Sequence, residues 1–400
     1  MNQAPKPGTL VTDELGRIIV SYSSITQFRN CRRKYYWNYI KHIVPLTLKA
    51  SDPRNNGKCI HGACEALRDD RNVNDEIDAF WGDQTDTDHD AFEWRERARV
   101  AMAAYRARWH NDSTQADFHW DLEVLEGRFT GDIVDPATGA IHPRYSIGGK
   151  MDLAVRVKEP CYWGTTQIDP GLWLGEIKTW AKIDGSQLSQ LWSNFQIMLY
   201  SHYLSEAFGE PVQGVLYDII GKAKSIEHTE AETQADFDQR VKELRVQAEA
   251  GELARRLKQK APKGKPPETD AEFLARRIEK GLEEVQALQP IERETDESFH
   301  ERLDNTYRNP NMLHREVVPI DLRVIENIRA ELWETLIQHD EAASRDRWGQ
   351  NESTCYDFFR PCDYLQICKS MDNPITIQEN YRIRTPHSEQ ADNPHLPIVQ

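Results

Sequence analysis

GGKMDLAVRV (148–157) and LGEIKTW (174–180) are two short apolar segments, each interrupted by charge: Asp152 in the first, Glu176 and Lys178 in the second. Both read as strands that pair with one another. A strand that only builds a core has no use for a carboxylate, because burying an unpaired charge costs several kcal/mol or forces the group to neutralise. Something must compensate Asp152 and Glu176.

A divalent cation would do so. Hard cations such as Mg2+ or Mn2+ take oxygen ligands, carboxylates and backbone carbonyls among them. Asp152 and Glu176 supply two ligands if their strands are neighbours. In EIK the alternation of a strand puts Glu176 and Lys178 on one face, sends the Ile177 side chain to the core and keeps the Ile177 carbonyl near the ion. Lys178 is then placed to orient an attacking water and to stabilise a charged transition state. This is the equipment that phosphodiester hydrolysis needs. On this pattern alone, a hairpin carrying charges on its wet face remains open.

The chain has 400 residues and 46.4 kDa, room for one large domain or two to three smaller ones. No window approaches an uninterrupted apolar span, and MNQAPKPGTLVTDELG lacks a basic segment followed by an apolar core, so neither a membrane helix nor a signal peptide is indicated. A cytoplasmic protein is expected. Seven cysteines, an odd number, then suggest metal ligands or free thiols rather than a disulfide framework. The net charge of −15 argues against a surface that coats nucleic acid throughout. Charge is uneven, however. RNCRRKYYWNYIK (29–41) has five basic residues, four aromatics and no acid, and RRLKQKAPKGK (255–265) has six basic residues, whereas 69–90 is rich in aspartate. An acidic protein with a basic lane suits a nucleic-acid substrate guided into one groove; a solvated charged face is the plainer reading of the same runs.

A capping box of Ser24 and Gln27 starts a first helix that is expected to run to about Ile40. Further helices are expected from about Asn56 to Arg68 and over 91–110, strands over 121–129, 145–157, 172–179 and 214–221, and a helix through SQLWSNFQIMLYSHYLSEAFG that stops at Gly209. Residues 225–304 read as a charged helical insertion with a flexible hinge at APKGKPPETD, and the prolines after Lys369 predict little regular structure. No internal repeat is read. The mixture gives an α/β or α+β core.

With GGKMDLAVRV and LGEIKTW, three further features make the chain resemble the PD-(D/E)xK nuclease superfamily, in its RecB-like branch. QIMLY matches the branch's Q-x-x-x-Y with Gln196 and Tyr200 on one helical face, and GKCIH matches G-x-x-x-H with His61. Cysteines form the third: Cys31 in SITQFRNC lies before the core, and Cys355, Cys362 and Cys368 follow it in a C-x6-C-x5-C run. This distribution resembles the iron-sulfur subgroup, which includes AddB-type and CRISPR-associated RecB-like exonucleases. The usual C-x2-C pair is absent, which leaves zinc as an alternative.

The resemblance implies a restriction-endonuclease-like core, a mixed sheet flanked by helices, with an iron-sulfur subdomain. It implies one nuclease domain over 18–370: N-terminal helices 18–70, catalytic core 121–222, insertion 225–304 and a C-terminal helix with the cysteines over 320–370, followed by a polar tail 371–400. By resemblance, His61, Asp152, Glu176 and the Ile177 carbonyl bind Mg2+ or Mn2+, with imidazole favouring manganese. Asp152, Glu176 and Lys178 are catalytic, and Gln196, Tyr200 and Arg32 bind the substrate. Cys31, Cys355, Cys362 and Cys368 hold a 4Fe-4S cluster that staples the ends of the fold. The implied activity is a DNA exonuclease acting on single strands or free ends in recombination, repair or end processing, with a helicase, recombinase or integrase as possible partner and no membrane. The other readings are a catalytically idle iron-sulfur DNA-binding subunit and an iron-sulfur structural protein. The chain has no P-loop of its own for unwinding.

Overall fold

The computed structural model describes residues 11–46, 53–82, 89–254, 257–260, 266–357 and 360–383. Six strands form one mixed sheet: β1 (Ile18–Val20), β2 (Trp120–Val134), β3 (Ile141–Val157), β4 (Gly171–Trp180), β5 (Val212–Gly221) and β6 (Leu313–Pro319). β2 and β3 make a long antiparallel hairpin. The other edge of β3 is shared between two strands, β1 running parallel against Tyr145–Ile147 and β4 antiparallel against Leu153–Val157. Between those contacts, residues 148–152 of β3 meet no strand on that side among the described residues. The sheet is therefore split at Asp152. β5 then lies parallel to β4, and β6 antiparallel to β5.

A parallel pair needs a crossover, and the β4 to β5 connection supplies one through a helix. Of the helices that position the site, α1 is Tyr22–Asn30, α2 Pro53–Arg68, α3 His89–Trp109, α4 Phe195–Phe208 and α5 Leu322–Ser344. α4 and α5 cover one face of the sheet, burying Ile197, Met198, Tyr200, Tyr203, Ile328 and Leu332 with Phe129, Ile147 and Met151. The helix approaches closely: a Cβ on Gly149 would lie 2.6 Å from Phe129 and 2.8 Å from Tyr200, so only glycine fits.

Several expectations shift. The first helix starts at Ser21, whose hydroxyl accepts from the Ser24 N–H while the Ser24 hydroxyl accepts from the Ser21 N–H. It ends at Cys31, which takes an extended backbone (φ −158°, ψ 107°); the chain restarts over Arg32–Tyr35 and closes in a π-turn, Tyr36–Ile40. Gln27, expected in the cap, instead ties the two pieces, donating to the Lys34 carbonyl and accepting from Asn38. The segment before α4 is broken, because Asn194 caps the helix by accepting from the Ile197 N–H. A helix at Val73–Trp81 and the strand β6 were not anticipated. Between Ser370 and Ile383 regular structure replaces the irregular segment expected: a helix, Pro374–Asn380, leads to Tyr381–Ile383, which pairs with Ile43–Pro45. The tail from 384 onward, much of the basic run 255–265 and the first half of the proposed hinge lie outside the described residues.

One buried network anchors α2. Arg315 on β6, 0 % exposed, donates to Asp218, Asp117, Gln115 and the Tyr105 hydroxyl, and its guanidinium lies 3.8 Å from the Trp163 ring centroid. Arg68, at the end of α2, donates to the other oxygen of Asp218 at 2.7 Å. Charges taken this far from water persist only when paired and hydrogen-bonded, as these are.

Lys224–Leu303 forms a compact unit of its own. Contrary to the expectation of no repeat, it carries one motif three times: ETQADFDQR (232–240), ETDAEFLAR (268–276) and ETDESFHER (294–302). Each copy folds alike. Its threonine caps a helix, its arginine reaches back to its glutamate, and the guanidinium covers its phenylalanine. Each glutamate also accepts a backbone N–H, from Ile291, Lys260 and Thr229 respectively, while each arginine donates to a carbonyl two residues earlier, at Gln289, Lys258 and Glu227. Uneven spacing between copies hides the repeat from a search for a fixed period.

Candidate active site

The split in the sheet sets the geometry. The ladder between β3 and β4 ends at Leu153 opposite Gly175, and there the Asp152 side chain replaces the backbone, its Oδ2 accepting from the Ile177 N–H at 2.9 Å. In a strand the N–H and C=O of one residue point to the same edge. The Ile177 carbonyl is therefore directed toward the Asp152 side as well.

His61 comes from α2. A Cβ on Gly57 would lie 3.2 Å from Thr179 Oγ1, so glycine at that turn lets the helix close on β4, and one turn later His61 Nδ1 stands 3.4 Å from Asp152 Oδ2. That is a physical reason for G-x-x-x-H at this spacing. Glu176, 3 % exposed, is ion-paired with Lys178 two residues on. Across the β4 to β5 ladder its partner is Tyr217, whose buried hydroxyl has no hydrogen-bond partner among the described residues.

Sequence reasoning missed Glu126. It lies on β2 between Leu125, opposite Leu153, and Gly127, opposite Met151, hence across from Asp152. Its backbone is left-handed, φ 53°, a costly conformation for a non-glycine residue and one that clusters at functional sites. One ligand atom from each of His61, Glu126 and Asp152 lies within 4.8 Å of the others. Glu126 is meanwhile ion-paired with Lys150. The acids in LEVLEGRF carried no spacing signal that would have singled it out.

Burial and crowding set the protonation states. Desolvation, then the nearby Asp152 charge, pushes the Glu176 carboxyl up, with Lys178 opposing. Glu126 is raised, first by burial. Burial would also raise Asp152, but the His61 imidazole and the Ile177 N–H hold it below the usual carboxylate range. His61 moves the other way: burial lowers it, and Asp152 more than reverses this. An N,O,O donor set suits a divalent cation of the manganese or magnesium type.

A model of the PD-(D/E)XK nuclease superfamily matches residues 19–369. The chain belongs to this superfamily. The chain has a mixed α/β architecture consistent with a restriction-endonuclease-like fold. No curated protein matches the chain. No helix among the described residues is long and apolar enough to cross a membrane.

The remaining expected residues are scattered. Gln196 is half-buried in the first turn of α4, but Tyr200 is 2 % exposed and packs edge-on against Phe129 at 5.1 Å. Arg32 is bonded to Gln338 and lies over Phe28, away from the carboxylates. The four motif cysteines are half-exposed, whereas Cys59, Cys64 and Cys161 are buried. The Cys362 N–H donates to the Cys355 carbonyl, and Asn351 donates to the Asn30 carbonyl beside Cys31. Among the described residues no group at single-ion spacing includes any of these thiols.

Proposed function

We propose that the protein is a metal-dependent DNA exonuclease that hydrolyses single strands or free ends during recombination, repair or end processing. The observation that carries this reading is the meeting of His61, Glu126, Asp152, Glu176 and Lys178 at the one place where the sheet is split. His61, Glu126 and Asp152 would hold Mg2+ or Mn2+, with Glu176 and the Ile177 carbonyl completing the set. The ion supplies Lewis-acid polarisation of a phosphoryl oxygen and a bound water of lowered pKa. Lys178, with three donors and one committed to Glu176, orients the attacking water and lends positive charge to the phosphoryl oxygens. The water oxygen forms the new P–O bond as the ester P–O bond opposite it breaks. Gln196 contacts the strand, and Tyr200 supports β3 from beneath, through its packing at Gly149.

The same reading gives Cys31, Cys355, Cys362 and Cys368 a 4Fe-4S cluster. What supports it is that all four thiols are free and partly exposed, and that Asn351, four residues before Cys355, donates to the Asn30 carbonyl beside Cys31. Iron and sulfide analysis of anaerobically purified protein tests this part.

The activity is tested on end-labelled linear and closed circular single-stranded DNA with Mg2+ or Mn2+, wild type beside Lys178→Ala. Digestion of the linear form alone, lost in the variant, is expected. No cleavage by folded wild type, or equal cleavage by the variant, would leave an idle DNA-binding subunit as the better account.

A further inference from the structure

Three aromatic side chains near the start of α1 and α4 are only partly covered: Phe195 packs against the core yet keeps some surface open, as does Tyr22, and Trp192 is exposed. Tyr22 is the first residue of α1 and Phe195 the first of α4. Their rings stack at 6.0 Å between centroids and 29° between planes, and both remain half-exposed. The Arg29 guanidinium, exposed and ion-paired with Glu331 at 2.8 Å, lies 5.1 Å from the Phe195 centroid. By contrast Phe28 and Tyr35, on the same stretch of chain, are fully buried. Trp192, three residues before Phe195, is 58 % exposed, an unusual placement for the largest apolar side chain.

Location decides what these rings are for. Trp192 sits in the segment 181–194, which leaves β4 three residues after Lys178 and enters α4 two residues before Gln196. Tyr22 is near enough to Lys178 to interact with it electrostatically. Planar rings topped by a guanidinium, beside a lysine suited to phosphate, match the chemistry of one nucleotide: a base to stack and a phosphate to neutralise. A paired base keeps its faces inside the duplex, so the matching ligand is an unpaired one.

We propose that Tyr22, Trp192 and Phe195, with Arg29, form a stacking site for an unpaired nucleobase beside Lys178, which makes the single-stranded end the substrate. This rests on the nuclease reading above. Stacking is tolerant of base identity, so the site reads strandedness and not sequence.

The test moves a single abasic residue along a labelled single strand and compares wild type with Trp192→Ala and Phe195→Leu, each checked for folding by its melting curve. Wild type is expected to slow roughly tenfold, mainly through KM, when the gap falls at one position near the cut. In the variants intact and gapped strands should be cleaved at equal rates. Equal rates on both strands in wild type, or a gap effect that persists in both variants, overturns the site while the nuclease reading stands. If wild type cuts nothing, quenching of a 2-aminopurine strand by metal-free protein still decides: quenching lost in Trp192→Ala supports the site, and none in wild type refutes it.

Discussion

Two charged clusters lie on adjoining strands and are built on opposite rules. Around Arg315 the buried charges balance: Arg68 and Arg315 face Asp117 and Asp218, and the Tyr105 hydroxyl bridges Asp218 and Arg315. Around Asp152 three carboxylates crowd against Lys150, Lys178 and a histidine, and two of those carboxylates are pushed upward in pKa. The clusters are neighbours, since Ile177 pairs with Asp218, and α2 carries a member of each, His61 and Arg68. A fully hydrogen-bonded buried network holds the helix; beside it the acids are crowded enough that two are raised in pKa, the setting in which a cation would replace protons. The difference separates an anchor from a site by electrostatics alone.

The largest expected effect tests the anchor. Arg315→Met leaves Asp117 and Asp218 buried without their main counter-charge and should lower stability by about 3–5 kcal/mol in urea unfolding. A loss near that of an exposed pair, under about 1 kcal/mol, would break the comparison from this side. Removing the lysine from the other cluster should do the reverse. Lys178→Ala is expected to cut DNA hydrolysis by about 10²–10³-fold while moving the melting midpoint little, because Glu176, already raised, can take a proton. A variant that unfolds would place Lys178 among the anchors.

Next in size is metal affinity. Glu126→Gln should weaken Mn2+ binding roughly tenfold by calorimetry, with the metal-free fold unchanged. An unaltered Kd would remove Glu126 from the ligand set and leave its left-handed backbone unexplained.

How much of this was legible in the sequence follows from the range of each interaction. Asp152, Glu176 and Lys178 stand out because a charge inside an apolar run is conspicuous within a few residues. G-x-x-x-H is legible as a spacing, although its cause, the close approach of Gly57 to Thr179, lies far along the chain. Glu126 and the Arg315 network were not legible, since they depend on register between strands far apart in sequence; nothing near Asp117 or Asp218 announces a partner at 315. The start of the first helix was misplaced because Gln27 and Ser24 suit a cap, while Ser21 and Ser24 form it. Strand β6 and the helix at Pro374–Asn380 gain their stability from partners elsewhere in the chain, which local propensity does not see.

The smallest effect is a slope, and it separates the clusters by sign. Glu176 is raised in the folded state, so the metal-free folded protein holds more protons than the unfolded chain above the ordinary carboxylate value of 4.5. Stability from this group is present below that value and is lost as pH rises through the folded pKa. Asp117 is the opposite case. Burial would raise it, but Arg315 holds it below the ordinary value of 3.8, so its contribution is present above 3.8 and is lost as pH falls further. Metal-free wild type should therefore gain stability between pH 7 and 4.5 relative to Glu176→Gln, and both should lose it together in stronger acid. Other buried groups cancel in that difference, because the two proteins share them. Saturating Mg2+ should abolish the gain, since an ion on Glu176 competes with the proton. Parallel curves for the two metal-free proteins from pH 7 to 4.5 would mean that Glu176 is already compensated, and the distinction between anchor and site would then need another basis than charge.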